Sequence, residues 1–201
     1  MLASLVRFSL IGLVKLLVGA QARWVNAAPN SEQSIYFTNH TSHLDTLALW
    51  VALPAEIRAK TRPVAAKDYW GSGIIKRFIA LKVLNAVLIE RTVTRHNDPL
   101  QPLLDALFSG DSLIIFPEGT RRAQAEPSDF KGGLYHLAEA FHNVKLIPVY
   151  LDTLHRSMPK GSILPVPLIC TVRFGGEISL LPNEHKKAFL ARAREAVVAL
   201  I

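Results

Sequence analysis

The chain has 201 residues, of which half are hydrophobic, and this is enough apolar surface for the core of one domain. Its 23 lysines and arginines and 16 aspartates and glutamates give a net charge of +7, which favours an anionic partner such as a nucleic acid, an acidic membrane surface or a phosphorylated substrate. The single cysteine, Cys170, excludes an intrachain disulfide, and its apolar setting favours a buried thiol in a reducing compartment.

The first 24 residues are apolar but contain two basic residues. On a helix, Ser4, Arg7 and Lys15 fall within an arc of about 80°. This pattern predicts an amphipathic helix that lies in the bilayer interface with these side chains at the lipid phosphates. We therefore assign residues 1–24 to a membrane-associating N-terminal helix. A signal peptide ending near "AQA" (20–22), a tilted membrane-spanning helix and an ordinary core helix are the alternatives.

From residue 25 to residue 201, short apolar runs alternate with helical patterns. Strands are predicted at residues 34–39, 62–66, 85–90, 112–116, 145–151 and 168–174. Helices are predicted at residues 43–53, 72–82, 99–109, 133–142 and 184–200. The alternation predicts one α/β domain with a mostly parallel or mixed central sheet flanked by helices. Residues 153–167, which hold three prolines and a glycine, are typical of a long surface loop.

Three groups of polar residues follow predicted strands. "NHTSHLD" (39–45) comes after the first strand, Glu90 and Arg91 close the third, and "FPEGTRR" (116–122) closes the fourth. Ligands of open α/β sheets bind beyond the carboxyl ends of the strands. The three groups therefore predict a shared site at one edge of the sheet.

The first polar group predicts a hydrogen-bonded histidine–aspartate pair. If Ser42 is the N-cap of the following helix, Asp45 occupies the capping-box position and His40 lies off the helix in the preceding loop. An aspartate that accepts from one ring nitrogen fixes the tautomer of His40, so the other nitrogen can take a proton from a hydroxyl. The pair has no nucleophile of its own, so the substrate would supply the oxygen. Plain helix capping, and metal binding by His40, His43 and Asp45, are the alternatives.

The third polar group offers chemistry suited to an anion. Gly119 lets the backbone approach a ligand closely, and Arg121 has a planar guanidinium that matches phosphate. Arg91 supplies a second guanidinium at another strand end. Two such groups at one pocket favour a phosphorylated substrate, although arginines on a basic surface can also be simply solvated.

The motifs taken together resemble a known family. In order and spacing they resemble the four sequence blocks of the glycerolipid acyltransferases, most of all the bacterial 1-acylglycerol-3-phosphate acyltransferases: "NHTSHLD" (39–45), "VLIER" (87–91), "FPEGTR" (116–121) and "IPV" (147–149). The resemblance runs from about residue 34 to residue 176, and the stretches "AAKDYW" (65–70) and "FKGG" (130–133) also look like family sequence.

Two residues depart from the family pattern. Asn85 stands where the second block often has a glycine, which leaves open how the acceptor's glycerol fits. Arg122 stands where a serine often follows the third block, and it would add charge at the rim of the pocket.

The resemblance implies a role for each matching residue. It implies that His40 is the general base and that Asp45 orients it. It implies that the glycerol phosphate of the acceptor is held by residues of the second and third blocks and a nearby lysine: Lys67, Arg91, Glu118, Gly119, Thr120 and Arg121. It implies no metal and no cofactor, with acyl-CoA or acyl-carrier protein as the co-substrate.

The reaction implied is acyl transfer in phospholipid biosynthesis. His40 would deprotonate the free hydroxyl of a lysophospholipid, which would attack the thioester carbonyl and yield phosphatidic acid. We expect the enzyme at the cytoplasmic face of a membrane, with the apolar stretch "FIALKVL" (78–84) either docking there or lying in the core. Transfer to another lysolipid, hydrolysis and a catalytically silent membrane-binding protein are the alternatives. A nucleic-acid partner is not expected, because the basic residues do not form runs with interleaved aromatics.

Overall fold

A mixed sheet is the centre of the fold. The computed structural model describes residues 1–90, 98–152 and 169–201, and within these ranges the sheet has seven strands. Their bounds are β1 Gln21–Trp24, β2 Ser34–Thr38, β3 Thr61–Ala66, β4 Val87–Ile89, β5 Ser112–Ile115, β6 Lys145–Leu151 and β7 Thr171–Phe174. The predicted α/β class with a mixed central sheet is confirmed. The predicted loop at 153–167 lies outside the described residues.

The strand order places the predicted polar groups together. The order is β1-β7-β6-β2-β5-β3-β4, and the five strands from β6 to β4 are mutually parallel. β7 runs antiparallel to β6, and β1 pairs parallel to β7 at the outer edge. The carboxyl ends of β2, β4 and β5 therefore meet at one edge of the sheet, where the three polar groups follow them.

Helices cover both faces of the sheet. Their bounds are α1 Leu2–Val18, α2 Asp45–Ala52, α3 Ala55–Ala59, α4 Lys67–Trp70, α5 Ile74–Phe78, α6 Gln101–Phe108, α7 Gly133–Ala140 and α8 Lys186–Val198, with a π-helical turn at Ile79–Val83. A helix is present in each of the five stretches where one is predicted beyond residue 25. The predicted helix over 72–82 is divided between α5 and the π-helical turn.

The alternation of side chains along β2 divides the core in two. Ile35 and Phe37 face a cluster formed with α6, α7 and α8, whereas Tyr36 faces a cluster formed with α1, α2 and the π-helical turn. Every residue of β2 is buried because helices cover both of its sides. A strand buried on both faces is expected to be continuously apolar, as "SIYFT" largely is.

The stretch "FIALKVL" (78–84) belongs mainly to the core. Ala80, Val83 and Leu84 are buried, with Ala80 and Leu84 in the cluster beneath α1 and α2. Of the two interpretations of this stretch, the structure therefore supports core packing.

The N-terminal helix is shorter than predicted. α1 ends at Val18, and Gln21–Trp24 form strand β1 instead of further helix. The Nε of Arg7 donates to the Val83 carbonyl at 2.9 Å, so this side of the guanidinium contacts the protein. The placement of Ser4, Arg7 and Lys15 at lipid phosphates stays a prediction. In the described part of the chain, no helix is both long and apolar enough to cross a membrane.

One face of α1 packs on the protein and the opposite face is apolar and exposed. Val14 and Val18 are buried against the α2 side of the core. The exposed face carries large hydrophobic side chains: Leu2, Leu5, Phe8, Leu13 and Leu16. The outward side of α1 is thus mainly apolar, with Ser4, Ser9 and Lys15 exposed as well, and the half-buried Arg7 lies on the inward side.

Cys170 lies in the core next to β7, as its apolar setting predicts. The residue is buried, and burial raises the pKa of its thiol to about 12. The thiol is therefore protonated and unreactive at neutral pH.

Candidate active site

The structure brings His40 and Asp45 together. His40 Nδ1 lies 2.8 Å from Asp45 Oδ2, and the Asp45 side chain is 0% exposed. The imidazole ring packs against Phe116, with ring centroids 4.2 Å apart. Because Asp45 occupies Nδ1 and Phe116 restricts the ring, Nε2 is the nitrogen that can face a ligand.

The loop before α2 forms around the Asp45 carboxylate. Asp45 Oδ2 also accepts from the backbone N–H groups of Thr41 at 2.6 Å and Ser42 at 2.8 Å. The prediction that Ser42 is the N-cap is wrong, because α2 begins at Asp45 with Leu44 as its N-cap. The capping-box contact from the carboxylate back to the Ser42 N–H is nevertheless present. One carboxylate oxygen therefore shapes the loop and orients the imidazole at once.

The backbone of His40 is held by the loop that follows β5. Its N–H donates to Glu118 Oε1 at 2.8 Å, and its carbonyl accepts from the Arg122 N–H at 2.8 Å. Glu118 Oε2 accepts from both the N–H and the hydroxyl of Ser128. Glu118 is buried, and both of its oxygens are used inside the protein. In this geometry the carboxylate positions the backbone of His40, and the implied contact of Glu118 with the acceptor stays a prediction.

Gly119 has a backbone conformation that favours glycine, and the Lys131 side chain lies across it. Its φ of +72° lies in the left-handed region. A methyl group built on Gly119 would lie 2.7 Å from Lys131 Nζ. The missing side chain thus lets Lys131 cross the glycine and reach the site.

A cavity of about 420 Å³ opens beside the imidazole. Its polar part is lined by His40, His43, Thr46, Thr120, Arg121 and Lys131, together with Gly119. Its apolar part extends between β3, β4, β5, α6 and α7 and is lined mainly by aliphatic side chains: Val64, Ile89, Leu100, Leu103, Ile115, Leu134 and Leu137. The cavity therefore joins a cationic compartment to a hydrocarbon-like one, with His40 in its wall.

Arg121 gives the polar compartment its positive field. Its guanidinium NH1 is buried and has no hydrogen-bond partner among the described residues. Burial, with the added charge of Arg121, lowers the pKa of His43, which also lines the cavity. An anion bound here would satisfy the free guanidinium donor and neutralise this field.

The other predicted residues lie apart from this compartment or outside the described ranges. Lys67 Nζ donates to Glu90 Oε1 at 2.6 Å on the surface, and neither residue lines the cavity. Arg91 lies outside the described residues. Asn85 has φ +52°, so it adopts the left-handed conformation that explains a glycine at this position.

Sequence reasoning missed four residues of the cavity wall. Lys131, Tyr69 and Trp70 belong to the family-like stretches "FKGG" and "AAKDYW" but were given no role, and Thr46 carried no motif of its own. Thr46 follows Asp45 directly in the first turn of α2, a position that the histidine–aspartate pair could have indicated. In the described ranges, no three His, Cys, Asp or Glu side chains are grouped to hold a metal ion, so the geometry does not support the metal alternative for His40, His43 and Asp45.

Comparison with known proteins identifies relatives. A curated relative named Taffazin from Dictyostelium discoideum is 28% identical over 148 residues, covering 67% of this chain and 50% of the relative. A 1-acyl-sn-glycerol-3-phosphate acyltransferase from Limnanthes alba is 27% identical over 168 residues, covering 81% of this chain and 56% of the relative. The chain thus spans about half the length of the curated relatives it matches.

A solved structure shares the fold. The crystal structure of PlsC from Thermotoga maritima, a 1-acyl-sn-glycerophosphate acyltransferase, superposes with a TM-score of 0.74 at 18% identity, covering 98% of this chain and 79% of that chain. The model of the Acyltransferase family matches residues 23–152, which contain the histidine–aspartate pair and its supporting loop. The resemblance seen in the sequence motifs is confirmed, and the chain belongs to the Acyltransferase family.

Proposed function

We propose that the chain transfers a fatty acyl group from a thioester to the free hydroxyl of 1-acylglycerol 3-phosphate, forming phosphatidic acid. The observation that carries this proposal is the His40–Asp45 pair, 2.8 Å apart, with His40 in the wall of a cavity that Arg121 also lines. The NH1 of Arg121 is buried and has no hydrogen-bond partner within the ranges that the structure describes. His40 can then accept a proton from the hydroxyl of the lysolipid, while Arg121 binds the phosphate at its other end.

His40 is the general base of the proposed reaction. Its Nε2 takes the proton of the acceptor hydroxyl while the oxygen attacks the thioester carbonyl, giving a tetrahedral intermediate. Collapse breaks the carbon–sulfur bond, and the departing sulfur takes the proton back from His40. Asp45 holds Nδ1–H throughout and stabilises the imidazolium that forms between the two steps.

The acceptor phosphate suits the polar compartment. Arg121 can form a bidentate pair with phosphate oxygens, and Lys131 adds a second positive charge across Gly119. Thr120, between Gly119 and Arg121, offers a hydroxyl donor in the same wall. We propose Arg91 and Lys67 as further contributors only on the ground of the family resemblance.

The apolar compartment suits a fatty chain. It is continuous with the polar one, so a substrate can place its ester end near His40 and its hydrocarbon among Leu103, Leu134 and Leu137. Apolar walls bind alkyl chains by removing them from water. We propose acyl-CoA or acyl-carrier protein as the donor, since both present a thioester.

We propose that the protein works at the cytoplasmic face of a membrane. Its acceptor and product carry fatty chains, and the outward apolar face of α1 offers a surface that can lie in a bilayer. The net charge of +7 favours an anionic leaflet.

The test is an assay of purified protein with labelled acyl-CoA, with and without lysophosphatidic acid. We expect labelled phosphatidic acid only when the acceptor is present, and a loss of about a thousandfold in His40→Ala. Thioester consumption without acceptor would indicate a hydrolase instead. Full transfer by His40→Ala would overturn the catalytic assignment, and transfer only to other lysolipids would overturn the proposed acceptor.

A further inference from the structure

Two neighbouring isoleucines project from the protein where α5 begins. Ile74 is 89% exposed and Ile75 is 76% exposed. The residues before them, Gly71 to Gly73, form the turn that carries the pair away from α4, and nothing lies within 4 Å of the position where a Cβ on Gly73 would be. We call Ile74 and Ile75 the isoleucine tip. An apolar tip held clear of the core indicates a contact with something outside this chain.

The surroundings of the tip are basic. Lys76 and Arg77 follow it directly and are exposed, and Lys82 lies one turn further on. Lys76 Nζ lies 4.1 Å from the ring centroid of Tyr69, which keeps this charge beside the tip. Large aliphatic side chains bordered by lysine and arginine match the interface of an anionic bilayer, where the hydrocarbon lies just below the phosphates.

The tip is close to the opening of the catalytic cavity. Tyr69 and Trp70, which precede the tip by only a few residues, line the same cavity as His40. The ring of Tyr69 lies 5.9 Å from the ring of His43, another residue of the cavity wall. A lipid leaving the bilayer at the tip would therefore meet the aromatic wall before it reaches the imidazole.

The tip is also tied to the apolar face of α1. Arg7 Nε donates to the carbonyl of Val83, at the end of the π-helical turn that continues α5, and α1 packs against that turn. The inward-facing Arg7 thus connects two elements that each expose apolar side chains. Two separate contacts restrict the tilt of a protein on a membrane more than one contact does.

We propose that the isoleucine tip inserts into an anionic bilayer as a second contact beside α1, and that lipid acceptors enter the cavity past Tyr69 and Trp70. The role as an entrance rests on the proposed function, whereas membrane insertion does not. The tip contributes affinity through Ile74 and Ile75, and Lys76 and Arg77 contribute the preference for anionic lipid.

Vesicle flotation tests insertion without any chemistry. The full chain is mixed with phosphatidylcholine vesicles that contain or lack phosphatidylglycerol, and Ile74→Ser/Ile75→Ser is compared with Phe108→Ser. Phe108 is 78% exposed but lies on α6, which packs on the other face of the sheet. We expect the tip variant to bind anionic vesicles about tenfold more weakly than wild type, and Phe108→Ser to bind like wild type.

A charge variant tests the lipid preference. The affinity of Lys76→Gln/Arg77→Gln is expected to fall about tenfold for vesicles with phosphatidylglycerol. Its affinity for vesicles of phosphatidylcholine alone is expected to be unchanged. Unchanged melting temperatures for all variants would show that the folded protein is being compared. Wild-type binding by the tip variant, or an equal loss in Phe108→Ser, would overturn the proposal, as would a dimeric wild type that becomes monomeric when the tip is changed.

Activity measurements on soluble and on membrane-embedded acceptor distinguish a role of the tip in lipid entry from a role in catalysis. On a short-chain lysophosphatidic acid dissolved as monomers, the tip variant is expected to match wild type, because Ile74 and Ile75 do not line the cavity. On acceptor embedded in anionic vesicles, its kcat/KM is expected to fall about tenfold. Wild type that is inactive on both acceptors would refute the proposed function and leave the flotation result standing. Equal activity of tip variant and wild type on vesicles would refute the entrance.

Discussion

Two glutamates that follow strands of the same sheet edge have opposite surroundings. Glu118, after β5, is 3% exposed and accepts from the His40 N–H and from Ser128. The Glu90 side chain, after β4, is 47% exposed and pairs with Lys67 on the surface. The sequence predicted both glutamates at the carboxyl ends of parallel strands, and of the two it is Glu118 that holds His40 in the cavity wall.

The difference shows what strand-end position can and cannot indicate. Position brings a side chain to the correct edge of the sheet, but its role depends on the donors that other loops place around it. A buried carboxylate that loses its donors is costly, whereas an exposed ion pair contributes about 0–1 kcal/mol. The Glu118 region should therefore respond strongly to substitution and the Glu90 region weakly.

Asp45→Asn should give the largest effect in the Glu118 region. The amide keeps the size of the side chain but can no longer hold Nδ1–H of His40 in the same tautomer while accepting from Thr41 and Ser42. We expect kcat for acyl transfer to fall by about a thousandfold with little change in KM, measured by steady-state kinetics. A loss below tenfold would mean that the pair does not orient the base.

Glu118→Gln should give the second-largest effect. One amide oxygen replaces two acceptors, so either the His40 N–H or the Ser128 N–H loses its partner. We expect a destabilisation of about 1–3 kcal/mol by urea unfolding and a kcat about a hundredfold lower, because His40 shifts from its position. If Glu118 instead held the acceptor, KM for the acceptor would rise while stability and kcat remained as in wild type.

Gly119→Ala should give an intermediate effect. The added methyl group meets Lys131 Nζ and forces an alanine to φ +72°, which costs about 1–2 kcal/mol of stability. Displacement of Lys131 should raise KM for lysophosphatidic acid by about tenfold. Gly110→Ala is the matched control, since Gly110 has φ +82° but no atom near its missing side chain, so it should lose stability without a change in KM.

Glu90→Gln should give the smallest effect. The exposed pair with Lys67 is screened by water, so we expect less than about 1 kcal/mol in urea unfolding and less than a twofold change in kcat/KM. A loss of stability or of activity as large as that of Glu118→Gln would contradict the contrast between the two glutamates. It would also indicate that Lys67 needs its partner in order to act on the acceptor.

The sheet and the histidine–aspartate pair could be predicted because their signals are local. Apolar runs and helical periodicity marked β2, β5 and the helices around them, and the offset of five residues between His40 and Asp45 required the loop that the structure contains. Because the carboxyl ends of parallel strands lie at the same edge of a sheet, the motifs that follow these strands could be predicted to lie together.

The remaining features depend on contacts that no local pattern encodes. The Glu118 hydrogen bond to His40 joins residues 78 positions apart, and the Arg7 contact with Val83 joins residues 76 apart. β1 is a four-residue edge strand that exists because it pairs with β7. The apolar compartment is assembled from β3, β4, β5, α6 and α7, so its depth appears only after the chain has folded.

Cys170 is the single cysteine of the chain and is buried next to β7, so it offers no thiolate at the protein surface. Because burial raises the pKa of its thiol to about 12, Cys170 is not expected to react with maleimide reagents at neutral pH. A cysteine introduced by Ile75→Cys would then be the sole labelled position without removal of the native one. An environment-sensitive fluorophore or a spin label attached there can report the depth of that residue in lipid directly.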